Sequence, residues 1–487
     1  MATTALTTRT LTPRFDLYRG ALFLLIIVAV GKSHLHFPIM VQLRPALVLT
    51  GLTMAYAMMN PSGLADRSVL KLWPAKLIAA LGIWSVASIP LSISIGGTAM
   101  FVFTEYSKTI VLALLLILAV RDTRDLLTLL WGFVAAVGSL AILSILVFKV
   151  TQHGDDEIAR IQNGYAYDSN DIGLVAVVGI AITLLLFQSS KGVGKLFSMA
   201  TLAALGATIA RTGSRGAFVG LVCVGGGLLV LLREVPIAKR MAFVVLCLVG
   251  VGVAAPSGYW EQMQTILAPS EDYNWDATQG RMELIKRAFG YMMRNPATGL
   301  GAGQFGRAEG TMSPLATAHS ADPGSAGVKW SAAHNSFMQI GAEMGVPGLV
   351  LFSMLVFGCI LEGLRLQRVL PPAWRKSDPE RRLLFYCATY LPVAFLGFAS
   401  AGFFVSFAYL DVIYVLTAFH LWMLRCIQMK QAEELGGGTA VPVPVPVAAP
   451  RRGRGGGWGP AVPAPWPAPP PIPPARPLAP ELRERSR

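Results

Sequence analysis

The sequence predicts an all-α integral membrane protein with about twelve transmembrane helices and one large outer loop that contains an amphipathic helix. Three observations carry that expectation. Hydrophobic residues make up 54% of the 487-residue chain and charged ones only 14%, where an ordinary soluble domain has roughly 25% charged. Apolar stretches of about 17–25 residues, long enough to cross a hydrocarbon core of roughly 30 Å as a helix, recur almost from end to end. Lysine and arginine gather in alternate loops, which is the bias that sets membrane orientation.

The candidate spans are 20–38, 44–60, 74–95, 99–120, 125–149, 171–188, 195–210, 215–233, 240–257, 335–363, 382–402 and 404–428. The first follows Arg9, Arg14 and Arg19 as a signal sequence would, but no small-residue cleavage site follows it, so it reads as an uncleaved first helix. With the N-terminus inside, the inner loops carry Arg67, Lys71 and Lys76, then Arg121 and Arg124, Lys191 and Lys195, Arg233, Lys239 and Arg240, and finally a basic run from Arg365 to Arg382. The outer loops at 92–98 and 400–405 carry no cation. An even number of spans with both termini cytoplasmic follows, and it places Arg211 and Arg215 outside.

These spans divide the chain into helices one to nine (1–256), a long outer loop (257–333), helices ten to twelve (334–435) and a tail (436–487). The tail is too rich in proline and glycine to pack a core and is expected to be disordered and cytoplasmic. Its seven arginines against two glutamates supply +5 of the formal +14 charge. The basic balance therefore sits in the tail and inner loops, which suits membrane lipids as partners and gives no reason to expect nucleic acid. The five cysteines all fall in or beside spans, so no disulfide framework is implied.

At 257–333 the outer loop is too long for a plain connector and reads as functional. Within it, 279–296 has the pattern of an amphipathic helix, with Thr278 as candidate cap and Pro296 near its stop. Met282, Ile285, Phe289 and Met292 would share the apolar face, and Glu283, Lys286, Arg287 and Arg294 the polar one. Arg281 breaks the partition. It faces either a site within the protein or the lipid interface, where a long cation can snorkel.

A second outer stretch, 155–173, offers Arg160, Tyr165, Asp168, Asn170 and Asp171. That mixture reads either as a solvated rim or as a surface that recognises an acceptor sugar. His334 opens the tenth span, where a neutral imidazole can take a proton, although a histidine at a helix start is also an ordinary cap or packing residue. The glycines of 298–306 read as a loop turn rather than a phosphate cradle. Familiar hydrolase, metalloprotease and P-loop motifs are missing, and no outer acidic pair has metal-ligand spacing, so neither metal nor cofactor is expected.

Arg211, Arg215, Arg281 and His334 remain, all at the outer interface. Arginine beside lipid calls for a compensating anion, and a guanidinium fork matches a diphosphate bidentately. The glycines of 211–216 would let such an anion approach backbone N–H groups at the start of the eighth span.

"RTGSRGAFVGL", "GRMELIKRAFGYMMRNPATGLGAGQF" and "AAHNSFMQIGAEMGVPGLVLF" resemble, in order and spacing, motifs of the O-antigen ligase and polymerase superfamily of polytopic bacterial membrane glycosyltransferases. The resemblance implies an inner-membrane enzyme whose long loop is periplasmic and whose donor is a glycan on undecaprenyl diphosphate. It implies Arg215 and Arg281 as diphosphate contacts, joined by Arg211 and Arg160, and His334 as the essential histidine. The ligase reading takes lipid A–core as acceptor and expects a metal-independent, inverting transfer. Tyr165, Asp168 and Asn170 are its candidate acceptor contacts. A lipid-linked polysaccharide polymerase, a protein O-oligosaccharyltransferase and, outside enzymes, a glycolipid transporter remain as alternatives.

Overall fold

The computed structural model describes residues 11–152, 159–161, 167–232, 236–255, 258–268, 280–321, 328 and 330–434. Among them the chain is almost wholly helical, and an antiparallel pair, Val150–Gln152 with Ala159–Ile161, supplies the strands. The helices are α1 (Leu17–Ile26), α2 (Pro38–Leu43), α3 (Pro45–Met59), α4 (Trp73–Ala87), α5 (Ile95–Phe101), α6 (Ser107–Ala119), α7 (Thr123–Leu146), α8 (Ser169–Ser189) and α9 (Gly192–Thr212). They continue with α10 (Arg215–Leu231), α11 (Ile237–Ala254), α12 (Tyr259–Gln264), α13 (Arg281–Arg294), α14 (Phe305–Met312), α15 (Pro314–Ala321), α16 (Ser336–Val369), α17 (Pro379–Gly402) and α18 (Asp411–Glu434).

Eight helical stretches among the described residues are long and apolar enough to cross a membrane, and Leu17–Gly31, Trp73–Ala87 and Arg215–Leu231 are shorter apolar helices. The chain is a multi-pass, all-α membrane protein. At its centre stand α8, α17 and α18, each with 83% of its apolar window buried. By contrast α3 turns Leu47, Leu52 and Met58 outward, as a helix facing lipid does.

Local chemistry sets the ends of these helices. Asp122, Asp168, Ser214, Asn335 and Asp378 each accept backbone N–H bonds as N-caps. The first apolar run does not extend to residue 38. Its helix widens into a π turn over Ile27–Gly31 and stops because Lys32 takes a left-handed backbone, φ 48°. The tenth run is broken as well. Gly345 at φ 68° and Pro347 interrupt α16, so Ser336–Met344 and the rest of α16 are two helices meeting at a kink.

At one end of the bundle the segments expected outside bond to one another and to residues expected within the first and twelfth spans. Tyr167 donates to Val30 O at 3.2 Å, Ile93 N to Leu300 O at 2.9 Å and His334 N to Ser406 Oγ at 2.9 Å. At the other end the basic loops find acids. Arg19 is fully buried and pairs with Asp16 and Asp125, while Arg381 pairs with Glu434 and Lys430 with Glu380.

The long loop is more than one helix. Its described part holds α12, α13, α14 and α15. Gly280 rather than Thr278, which lies outside the described residues, is the cap of α13. The apolar face also differs from the expectation. Leu284, Ala288, Tyr291 and Met292 are buried, whereas Phe289 and Met293 are about half exposed at 51% and 54%. Tertiary packing chose a face about 90° away, because Leu300, Phe305, Ala308, Ala333 and Ala342 form one core with Leu284, Ala288 and Tyr291. The tail, 436–487, lies outside the described residues.

Candidate active site

The turn 211–216 joins α9 to α10. Gly213 closes α9 in the left-handed region, φ 57°, a cap that glycine adopts without strain. Ser214 Oγ then accepts from Ala217 N at 3.3 Å and starts α10. Arg215 is the first residue of α10, partly buried, and its Nη1 donates to Thr265 Oγ1 at 2.7 Å. No acidic residue stands in that first turn, so guanidinium and helix dipole present positive charge at one point.

The glycines of this turn serve a different purpose from the one expected. A Cβ on Gly216 would fall 2.6 Å from Phe404 Cβ, and one on Gly213 would fall 3.2 Å from Gln262 Oε1 and 3.3 Å from Arg160 Cγ. The space that each glycine leaves is filled by protein, because two remote segments, 403–410 and α12, pack directly on the turn. Arg211 is likewise committed: its Nε donates to Ser144 O at 3.1 Å and its Nη2 to Phe148 O at 3.2 Å. Those carbonyls lie at the end of α7, where a cation is favourable.

His334 occupies a left-handed backbone, φ 49°, and is half-buried. It is pinned from the same segment that fills Gly216. Besides the bond from His334 N to Ser406 Oγ, Ser336 Oγ donates to Val405 O at 2.8 Å and accepts from Phe407 N at 2.9 Å. The loop 403–410 therefore touches the arginine turn with Phe404 and the histidine segment with Val405, Ser406 and Phe407.

Arg281 stands at the first position of α13 and is half-buried, the place in its helix that Arg215 holds in α10. One turn on, Leu284 shares its core with Ala333, the neighbour of His334. The glycine-rich segment 298–306 is a packed turn. Gly299, Gly301 and Gly303 have positive φ, and Cβ atoms there would fall within 2.5 Å of Ala342 O, Ser92 and Phe101 respectively. Glu343, buried in α16, accepts from Gly303 N at 2.8 Å and Phe305 N at 2.9 Å. The Tyr409 hydroxyl lies beside the same carboxylate, and burial together with that charge raises its pKa well above the usual tyrosine value. Arg287 is not on a solvated face as expected: its Nε donates to both Glu309 oxygens at 3.0 and 2.9 Å, and Tyr291 donates to Glu309 Oε1 at 3.0 Å.

The segment that holds Arg211, Arg215, Arg281 and His334 matches a known family model, described as O-antigen ligase, over residues 199–353. Residues 199–353 are similar to the O-antigen ligase family. No curated protein matches the chain.

The segment similar to O-antigen ligase leaves 403–410 outside its bounds, although that loop clamps two of its motifs. Also outside are Arg160, Asp168 and Asn170. Arg160 packs on Gly213, and its Nη2 donates to the Gln262 side chain once that amide is oriented to satisfy both of its ends. Its Nε makes no hydrogen bond among the described residues. Asp168 caps α8 by accepting from Asn170 N at 2.7 Å and Asp171 N at 2.8 Å. Asn170 is half-buried beside it, and Tyr165 lies outside the described residues.

Sequence reasoning missed Lys32, which it placed within a span. Its ammonium lies 4.3 Å over the Tyr167 ring, which stacks on Phe407. Burial lowers the Lys32 pKa, and nearby Asp411 and Asp171 oppose that effect. Thr265, Gln262, Phe404 and Ser406 were missed too. Their types are common, and only the fold carries them to the motifs.

Proposed function

We propose that the protein is an inner-membrane O-antigen ligase that transfers a glycan from undecaprenyl diphosphate to a sugar hydroxyl of lipid A–core. In this reading twelve helices cross the membrane, both termini are cytoplasmic and the long loop is periplasmic. Besides the eight long apolar stretches, the three shorter apolar helices and α11 fall in candidate spans, which supports that count.

The observation that carries the reading is the placement of Arg215 and Arg281. Each stands at the first position of its helix, the end at which the helix dipole favours an anion. A diphosphate suits that position, since its oxygens accept from guanidinium forks. Arg215 and Arg281 grip the leaving diphosphate, with Arg211 and Arg160 framing the site from their own anchors. His334 takes the proton of the attacking hydroxyl, and direct attack inverts the anomeric centre. Tyr165, Asp168 and Asn170 contact the acceptor. The arginines neutralise the charge that develops on the leaving group, so the step is assigned no metal.

The test is reconstitution of purified protein with a lipid-linked O-antigen, with lipid A–core or with no acceptor. Glycan appearing on lipid A–core, with turnover retained in EDTA, is the expected result. Longer lipid-linked chains made without acceptor would instead mark a polymerase, and loss of turnover in EDTA restored by magnesium would overturn the metal-free step.

A further inference from the structure

A second feature of the long loop lies away from Arg215 and His334. An open cavity of about 420 Å³ runs between α13 and the segment from α14 to α15, lined by Lys286, Arg287, Tyr291 and Arg294 on one side and by Met312 and Thr317 on the other. Such a volume suits a small ligand. Three of those side chains are cations, and Glu283 and Glu309 answer only Lys286 and Arg287. Arg294 has no carboxylate partner among the described residues.

Gly290 supplies the independent observation. It sits in the interior of α13, four residues from Lys286 and four from Arg294, so the three form one row along the helix with glycine between two cations. Glycine is a poor helix former, and a structural reason usually accounts for it. Neither usual reason holds here. Its backbone is not left-handed, and a Cβ built on it meets nothing within 4 Å. What the missing side chain does is keep the cavity floor open between Lys286 and Arg294. The exposed Phe289 and Met293 lie about 100° and about 60° round the helix from Gly290, so the apolar stripe runs beside the row and not along it.

We infer that the Lys286–Gly290–Arg294 row is a subsite for an anionic group, a phosphate monoester, carried by a saccharide. The two cations flank the phosphate, the Arg287 guanidinium is held in place by Glu309, and Tyr291 and Thr317 line the same cavity, where the saccharide sits. This assignment rests on the glycosyl-transfer reading for its biological sense, and its binding chemistry stands on the cavity alone.

The experiment uses full-length protein in nanodiscs of zwitterionic lipid, with glucose 6-phosphate, glucose and inorganic phosphate as probes in calorimetric titrations. Wild type is expected to bind glucose 6-phosphate at least 10-fold more tightly than glucose. Arg294→Gln should weaken that binding about 10-fold. Gly290→Met should do the same while the melting temperature holds or rises, because methionine favours the helix and its side chain enters only the cavity. Equal binding of the sugar phosphate by wild type and Gly290→Met overturns the subsite, as does no binding to wild type. Binding to phosphatidic acid vesicles that both variants lose, without sugar-phosphate binding, assigns the row to lipid headgroups and also overturns it. Sugar-phosphate binding without glycan transfer defeats the ligase reading alone, and transfer without such binding defeats this inference alone.

Discussion

At the scale of single residues the distinction is between a charge and a geometry. If Arg215 grips a diphosphate with its planar fork, Arg215→Lys keeps the charge, loses the bidentate match and falls by roughly 10²-fold or more in turnover, nearly as far as Arg215→Ala. An interface anchor would tolerate lysine, since either cation can reach the headgroups. Turnover and donor binding of Arg215→Lys at wild-type expression therefore decide the matter, and full activity there removes the fork. His334 needs a variant that respects its backbone, because alanine is strained at φ 49° whereas asparagine tolerates it. Both His334→Ala and His334→Asn should lose about 10²–10⁴-fold in transfer with donor binding intact. An active His334→Asn would leave the residue as a backbone hinge.

At the scale of elements, the long loop is held to the bundle by a few buried polar groups rather than by apolar area alone. The Glu343 carboxylate receives two N–H bonds from the glycine turn 298–306, and that turn is where the end of α13 meets the kink of α16. Gln in place of Glu343 keeps the size but puts an amide donor against one of those donors. Glu343→Gln should cost about 1–3 kcal/mol and loosen 298–306, read as a lower melting temperature and as faster amide exchange at Gly303 and Phe305. Unchanged exchange at both amides would show that the turn is held by its packing alone.

At the scale of the whole molecule the charge pattern of the loops and the contacts of the fold make one arrangement. Of the segments read as outer, 92–98 and the long loop meet through Ile93, while Tyr167 and His334 bond to residues of the first and twelfth candidate spans, and the basic segments meet acids at the opposite end. A reporter fused after Glu309 should be periplasmic and one fused after Arg375 cytoplasmic. The reverse pair of results would turn the arginines and His334 to the wrong compartment for a periplasmic acceptor and would end the ligase reading.

The sequence by itself determined the membrane class, the presence of helices in the candidate spans and the order of the three motifs. Hydropathy, caps and charge bias are local quantities, and a bilayer forces any long apolar segment to satisfy its backbone as a helix. The kink in α16 was written there too, in Gly345 and Pro347, although an apolar count reads through it. Only the tertiary structure decided which face of α13 is buried, that Phe404 fills the space above Gly216, that Arg211 is tied to the end of α7, and that 403–410 joins the arginine turn to His334. None of these has a local signal, because each depends on which distant residue arrives. A glycine opened for an anion and a glycine opened for a phenylalanine are spelled the same way, and packing alone tells them apart.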